Sequence, residues 1–155
     1  MQVTARTEYA MRAMVDLASG DGERTTVEAI AARQCIPPKI LPAIVHALAR
    51  AGLVETTRGY RGGVRLARPA GQISVKTVWE AVEGPLEFYR CKSAGAACPI
   101  GLGRGCLLRK LWERTRSEVL RQWQETSLAD LARPRGRTRL RRAQGRTAAG
   151  SGQGA

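Results

Sequence analysis

The chain has 155 residues, a length that favours one compact domain with an extension. Its 26 lysines and arginines against 13 aspartates and glutamates give a formal net charge of +13, which favours nucleic acid over an acidic membrane surface as the partner. No segment approaches the roughly 18 apolar residues that cross a bilayer, and residues 1–20 are amphipathic rather than signal-like, so we expect a cytoplasmic protein without a membrane partner.

Helical periodicity predicts the first three elements. Apolar residues at one-face spacing predict a first helix over about 4–19. Thr25 and Glu28 stand three residues apart in a capping-box pattern, which predicts a second helix over about 26–34. A proline pair then begins a third helix over about 38–51.

The third predicted helix has two chemically different faces. At about 100° per residue, the face that contains Lys39 also carries Ala43, His46 and Arg50. The opposite face carries Leu41, Ile44, Val45 and Leu48. A short helix, a turn and a helix with a basic outer face indicate a helix-turn-helix, whose last helix enters the major groove. We therefore predict that the segment Glu28–Ala51 binds DNA, mainly through Pro38, Lys39, His46 and Arg50.

Pro42 lies early in this third helix and removes one backbone donor there. It also occupies a position that a polar side chain could have used to read a base. Direct readout then depends on few groups, and Lys39 is the best candidate for a guanine contact. We expect shape readout by a neighbouring element to supply the rest.

That element is a predicted β-wing, formed by two short strands over about 53–57 and 64–67. The connection Arg58-Gly-Tyr-Arg-Gly-Gly contains three glycines, which permit the positive backbone angles of a tight or bulged hairpin. Arginines at its tip are suited to a phosphate or a narrow minor groove. We predict DNA contacts from Arg58, Tyr60 and Arg61.

The C-terminal half predicts a capped helix that begins after Ser74, a cysteine-containing segment, and a helix of about 30 Å over 106–126. The apolar stripe of the long helix exceeds what one small domain needs, so we predict that it dimerises. Trp79, Trp112 and Trp123 fit apolar stripes and are expected in the core or the dimer interface. Ser127 with Asp130 predicts a short final capped helix.

The predicted fold is therefore mainly α with a small β-wing: a winged helix-turn-helix followed by a long dimerisation helix. We divide it into a DNA-binding domain over 1–84, a cysteine loop and dimerisation helix over 85–132, and a tail over 133–155. The tail contains seven arginines and no acidic residue, so we predict that it is disordered. It either adds non-specific affinity for phosphates or is simply solvated.

Four cysteines in a cytosolic protein suggest metal binding or redox chemistry more than disulfides. Cys91, Cys98 and Cys106 are separated by six and seven residues in a segment rich in glycine, alanine and serine. Soft thiolates on a flexible loop suit an iron-sulfur cluster or zinc, and a thiol redox switch or no role at all stay open. We expect Cys35, in the helix-turn-helix turn, to be buried and inert.

Five motifs occur in order along residues 1–133. They are Thr7-Glu-Tyr-Ala-Met-Arg-Ala-Met, Ala51-Gly-Leu-Val-Glu, Arg58-Gly-Tyr-Arg-Gly-Gly-Val, Val82-Glu-Gly-Pro and Thr126-Ser-Leu-Ala-Asp-Leu. Together they resemble the Rrf2 family of bacterial winged-helix transcriptional regulators, which has IscR-like and NsrR-like members. The resemblance implies a homodimer that binds a partly palindromic DNA operator, usually as a repressor, with an iron-sulfur cluster controlling the affinity.

The resemblance also implies a ligand set for the cluster. Cluster-binding members place three cysteines before the long helix, often with five residues in each interval, and the intervals of this chain are longer. The histidine that follows the third cysteine in IscR-like members is absent after Cys106. Other members use an acidic residue on the first helix of the partner subunit, and Glu8 occupies that position. The alternative for Glu8 is a surface acid paired with an arginine. The cluster is of the two-iron two-sulfur or four-iron four-sulfur type.

Two other functions remain open at this point. One is a cluster-free regulator of the same fold that senses a small molecule or a partner protein. The other is an iron-sulfur carrier or electron-transfer protein, which needs neither a wing nor a basic helix face. We do not expect an enzyme, because the single histidine lies on the predicted DNA face and no phosphate-cradling glycine loop or Ser-His-Asp arrangement is found.

Overall fold

The structure is a computed structural model that describes residues 3–20, 22–59, 62–87 and 105–132. Within these residues the chain forms six α-helices and a two-stranded antiparallel sheet. The elements are α1 (Ala5–Ala18), α2 (Val27–Gln34), α3 (Leu41–Arg50), β1 (Val54–Thr57), β2 (Gly63–Leu66), α4 (Val75–Glu83), α5 (Leu107–Glu125) and α6 (Leu128–Leu131). The predicted mainly helical fold with a small β-wing is confirmed. The predicted basic tail lies outside the described residues.

The hydrophobic core lies where α1, α3 and α4 pack together. The apolar stripe predicted for the first helix is the buried face of α1 and consists of Ala10, Ala13, Met14 and Leu17. Thr4 caps this helix because its hydroxyl accepts the amide N–H of Thr7. Ser74 caps α4 in the same way, through the amide N–H of Thr77. Both caps satisfy a backbone donor that has no partner within the helix.

The start of α2 differs from the predicted capping box. Thr26 is the N-cap, and its hydroxyl accepts the amide N–H of Ala29. Thr25 forms an isolated antiparallel bridge with Val64 of β2, through N–H···O distances of 3.0 and 2.7 Å. The Thr25–Glu28 prediction was wrong because a backbone pairing with a distant strand occupies Thr25.

The helix α3 begins at Leu41, three residues later than predicted. The preceding residues form a turn in which the amide N–H of Ile40 donates to the carbonyl of Pro37 at 3.0 Å. Pro42 is therefore the second helical residue, a position where an amide N–H has no partner within the helix. The donor that Pro42 lacks therefore costs the helix no backbone hydrogen bond.

The predicted wing is confirmed as a hairpin in which β1 and β2 pair from Val54↔Leu66 to Thr57↔Gly63. Glycine is required near its tip, because a Cβ added to Gly62 would lie 2.2 Å from the carbonyl oxygen of Thr57. Tyr60 and Arg61 lie outside the described residues.

The last two helices close the fold in different ways. α6 carries the predicted capping box, in which Ser127 and Asp130 bond each other's backbone N–H, and it places Leu128 in the core at 0% exposure. Its chain is held to the segment before α4 by a hydrogen bond from the amide N–H of Leu128 to the carbonyl of Ile73 at 2.9 Å. By contrast, α5 has no buried residue among its 19. Within the described residues, no helix is long and apolar enough to span a bilayer.

Candidate nucleic-acid interface

The helix α3 separates a core face from a solvent face. The apolar residues Leu41, Ile44, Val45 and Leu48 are at most 5% exposed. The opposite face consists of Ala43, His46 and Arg50, which are exposed together with Lys39 and Pro38 in the preceding turn. This division into two faces is as predicted. It leaves two cations and a histidine on the side from which a helix-turn-helix reads DNA.

The wing extends the exposed surface beside α3. Arg58 is exposed at the end of β1, close to the hairpin tip. Lower on the hairpin, the carboxylate of Glu55 lies 2.7 Å from the guanidinium of Arg65 and 3.9 Å from that of Arg24. Glu55 therefore offsets part of the positive charge at the base of the wing, and Arg58 lies beyond this cluster.

An ion pair that the sequence pattern did not predict joins α1 to α2. Asp16 of α1 is 5% exposed, and the guanidinium of Arg33 in α2 donates to both of its carboxylate oxygens at 3.0 and 2.6 Å. The hydrogen bond with Asp16 raises the pKa of Arg33 above its ordinary value. An acidic residue within the buried stripe of α1 was the available signal, because a buried carboxylate requires a partner.

Two of the sequence motifs meet between α1 and α4. The hydroxyls of Thr4 and Thr7 donate to the same carboxylate oxygen of Glu83 at 2.6 and 2.7 Å. The hydrogen bond from Thr4, followed by that from Thr7, lowers the pKa of Glu83, and partial burial opposes the shift. Glu83 thus ties the end of α4 to the start of α1, one residue before Glu8.

The predicted cluster ligands are described only in part. Cys106 is the half-buried N-cap of α5, next to the free backbone N–H groups of the first helical turn. Glu8 is exposed on α1, with its carboxylate 3.4 Å from the guanidinium of Arg12. Cys91 and Cys98 lie outside the described residues. The described ranges contain no group of three or more His, Cys, Asp or Glu residues that could hold a metal.

The prediction for Cys35 was wrong, because its thiol is exposed. Cys35 is the C-cap of α2 in the left-handed conformation, with φ of +50°. The next residue, Ile36, takes the buried place at 3% exposure and donates its amide N–H to Ala31 at 2.9 Å. The left-handed cap therefore turns the chain so that Ile36, rather than Cys35, enters the core.

The short helix, the turn, the two-faced helix and the hairpin define a winged helix-turn-helix protein, a class that binds double-stranded DNA. Residues 3–134 match the model of the Rrf2 family, described as an iron-dependent transcriptional regulator. The chain belongs to the Rrf2 family. Regulators of this family and fold bind DNA, and this chain is a transcriptional regulator of that kind.

The relatives of this chain include both IscR and CymR, two different regulators with the same fold. The chain is 34% identical to the transcriptional regulator IscR of Cereibacter sphaeroides over 134 residues, which cover 84% of this chain and 86% of that protein. It also resembles the solved structure of CymR, the global cysteine regulator of B. subtilis, with a TM-score of 0.67 and 27% identity over 85% of this chain and 96% of that one. The structure of T. potens IscR gives a TM-score of 0.66 and 28% identity over 84% and 85% of the two chains. The fold alone therefore does not distinguish IscR-like from CymR-like regulation.

Proposed function

We propose that the protein is a homodimeric repressor that binds a partly palindromic operator through α3 and the wing, and that an iron-sulfur cluster controls its affinity. The observation that carries the DNA-binding part is the two-faced α3. One face is sealed in the core, so the exposed cations are held at fixed positions. Arg50 on this helix and Lys39 in the turn before it lie on the side that would enter the major groove, and Arg58 would contact the backbone or the minor groove beside it.

Operator titrations of single variants test this interface. We expect Lys39→Ala and Arg50→Ala each to weaken operator binding by about 5–100-fold, the range for loss of a base or phosphate contact. Arg121→Ala is the matched control, because Arg121 is an exposed cation near the end of α5, and it should change affinity less than about twofold. A lysine or arginine that contacts a phosphate also lowers the slope of log affinity against log salt by about 1. Equal effects of all three variants would contradict the assigned interface.

The dimer part of the proposal is supported by the exposed start of α5. Leu107, Leu108 and Leu111 are 76, 58 and 54% exposed, and they follow one another along the first turns of the helix. A contiguous apolar surface of this kind usually marks a contact with another protein. A second copy of the chain would cover it and would place two α3 helices on a two-fold axis, as a palindromic operator requires.

The cluster part of the proposal assigns Cys91, Cys98, Cys106 and the partner subunit's Glu8 as ligands. Two of these proposed ligands lie within the described residues and suit the role. The Cys106 thiol is half-buried at a helix N-terminus, which favours negative charge, and the Glu8 carboxylate is exposed. The cluster would supply a group that responds to nitric oxide, oxygen or iron-sulfur status. Cys106 would fix one end of the cysteine segment on α5, and the partner subunit's Glu8 would leave Arg12 in order to bind.

Anaerobic isolation with iron and sulfide analysis and Mössbauer spectroscopy tests the cluster. We expect Cys106→Ala to lose the iron and sulfide, and Cys35→Ala, which removes the other described thiol, to retain them. Glu8→Ala should retain sulfide but change the Mössbauer spectrum, whereas the exposed acid Glu23 replaced by alanine should not. Operator affinity is measured on the same samples with and without the cluster. Colourless, iron-free wild-type protein would rule out this part of the proposal.

Similarity to CymR favours one alternative, a cluster-free regulator of the same fold that responds to a small molecule or a partner protein. This alternative predicts iron-free protein whose operator affinity changes when the effector is added. A carrier or electron-transfer role predicts that DNA binding is weak and independent of sequence at every salt concentration. Iron analysis and operator titrations, with and without the effector, together therefore distinguish the three functions.

A further inference from the structure

A buried carboxylate on α1 holds the end of α2. Asp16 accepts two hydrogen bonds from the guanidinium of Arg33, at 3.0 and 2.6 Å, and a third from the side-chain amide of Gln34 at 3.1 Å. Two parallel N–H···O bonds fix the plane of the guanidinium as well as its position. Arg33 is therefore held in one orientation, directly before the turn that leads to α3.

The same guanidinium is connected to the wing through Thr25. One of its terminal nitrogens, which donates to Asp16, also donates to the hydroxyl of Thr25 at 3.1 Å. The backbone of Thr25 in turn exchanges two hydrogen bonds with Val64 of β2. The contact is tight, since a Cβ on Gly63 would lie 2.8 Å from the Thr25 carbonyl oxygen. Thr25 thus serves as a third strand position against the hairpin.

We propose that Asp16 and Arg33 are positioning residues for operator binding, which lock the wing at a fixed angle to the helix-turn-helix through Thr25. Three parts meet at one guanidinium: α1 through Asp16, α2 through Arg33 itself, and the wing through Thr25. The wing is also held by Val54 and Val64, which pack in the core, and by Arg24, which donates to Thr57 and pairs with Glu55. These contacts hold the strands of the hairpin, and the junction adds the link to α1 and α2 through Thr25. Loosening this junction lets the wing sample more orientations. DNA binding is then weaker, because ordering the wing on DNA costs conformational entropy.

This inference rests on the proposed wing contact with DNA but not on the cluster. Its test uses Thr25→Val, which removes the hydroxyl and keeps a strand-forming residue, and Arg33→Lys, which keeps the charge and loses the planar two-point contact. Both variants avoid leaving the buried Asp16 without any cation. Thr115→Val is the matched control, because the Thr115 hydroxyl bonds the Leu111 carbonyl on α5.

Amide hydrogen exchange gives the local readout. The amide N–H groups of Thr25 and Val64 both donate within the bridge, so they report directly on its opening. In Thr25→Val and Arg33→Lys we expect the Val64 amide to exchange about tenfold faster, with the amides of α3 unchanged. In Arg33→Lys the Thr25 amide should change equally. Operator affinity should fall by about 3–10-fold, the range for a lost hydrogen bond of this kind. Thr115→Val should leave all of these unchanged.

Three results would overturn the proposal. Unchanged Val64 exchange would show that Arg33 does not hold the wing, and faster exchange with full operator affinity would reduce the junction to a structural role. Equal acceleration in α3 would indicate general destabilisation. Arg58→Ala, measured in parallel, isolates the proposed function. If that variant binds the operator normally while Thr25→Val binds weakly, the wing contacts DNA through residues other than Arg58, and the junction stands.

Discussion

The winged half of the molecule and α5 satisfy their apolar groups in opposite ways. From α1 to α4, every helix buries a defined apolar face in one shared core, which α6 completes with Leu128. The 19 residues of α5 include no buried side chain, and its described attachments include a ring contact between Trp123 and Trp79 and a hydrogen bond from Arg116 to the carbonyl of Leu86. The described part of the winged helix-turn-helix thus forms its core within one chain, whereas α5 leaves apolar side chains exposed.

The largest expected effect is loss of the proposed dimer when the exposed leucines of α5 are replaced. Replacing Leu108 and Leu111 with lysine should convert the dimer to a monomer at micromolar concentration. Burial of each leucine contributes about 1.5–3 kcal/mol, so losing four in a dimer removes about 6 kcal/mol or more. Sedimentation or light scattering measures the mass, and operator affinity should fall with it.

Leu131→Lys is the control for this experiment, because Leu131 is a 42% exposed leucine on α6. It should remain dimeric. If the double variant also remains dimeric, the interface lies elsewhere and the contrast between the two halves needs another explanation.

A smaller effect, on the free energy of unfolding, is expected when the shared core is changed. Leu128→Ala should lower the free energy of unfolding by about 2–5 kcal/mol, because it leaves a cavity in the core that α1 and α4 share. Leu131→Ala, three residues along the same helix and exposed, should cost less than about 0.5 kcal/mol. Chemical denaturation measures both. Equal losses would mean that α6 is only loosely attached to the core.

The smallest effect sharpens the contact between α1 and α4. The folded pKa of Glu83 lies below its ordinary value of 4.5, so its hydrogen bonds contribute stability above that pH. That contribution is lost as the pH falls through the folded pKa. Glu83→Gln should therefore lower the free energy of unfolding by at most about 1 kcal/mol near neutral pH, since Glu83 is an exposed residue, and should flatten the pH dependence of that free energy below 4.5. Urea unfolding at several pH values measures this, and Glu87→Gln is the control.

Features that depend on local pattern could be predicted from the sequence. The buried and exposed faces of α3 follow from helical period alone, and the hairpin follows from the glycines around Arg58. The capping box of Ser127 and Asp130 was also found, because the backbone bridge between Ser127 and Ser74 uses the groups of Thr126 and Leu128 and leaves the amide N–H of Ser127 to Asp130.

Features that depend on distant contacts could not be predicted in the same way. Thr25 matched a cap pattern, but its backbone pairs with Val64, so Thr26 took the capping role. The start of α3 was also predicted wrongly, although a local signal was present: proline is favoured in the first turn of a helix, and Pro42 indicates a start at Leu41. The partner of Asp16 had none, because helical spacing identifies a buried position but does not say which distant side chain reaches it.

The position of Leu128 in the core has a consequence for the order of folding. Leu128 belongs to the same core cluster as Ala10 of α1 and Val78 of α4, although it lies in the last described helix of the chain. Contacts between residues so far apart in sequence form slowly, because closing a long loop costs entropy before the contact repays it. During synthesis α1 to α4 emerge first with a leucine-sized gap, and the gap closes only after α5 has been made. The winged helix-turn-helix therefore completes its core only after α5 has been synthesised.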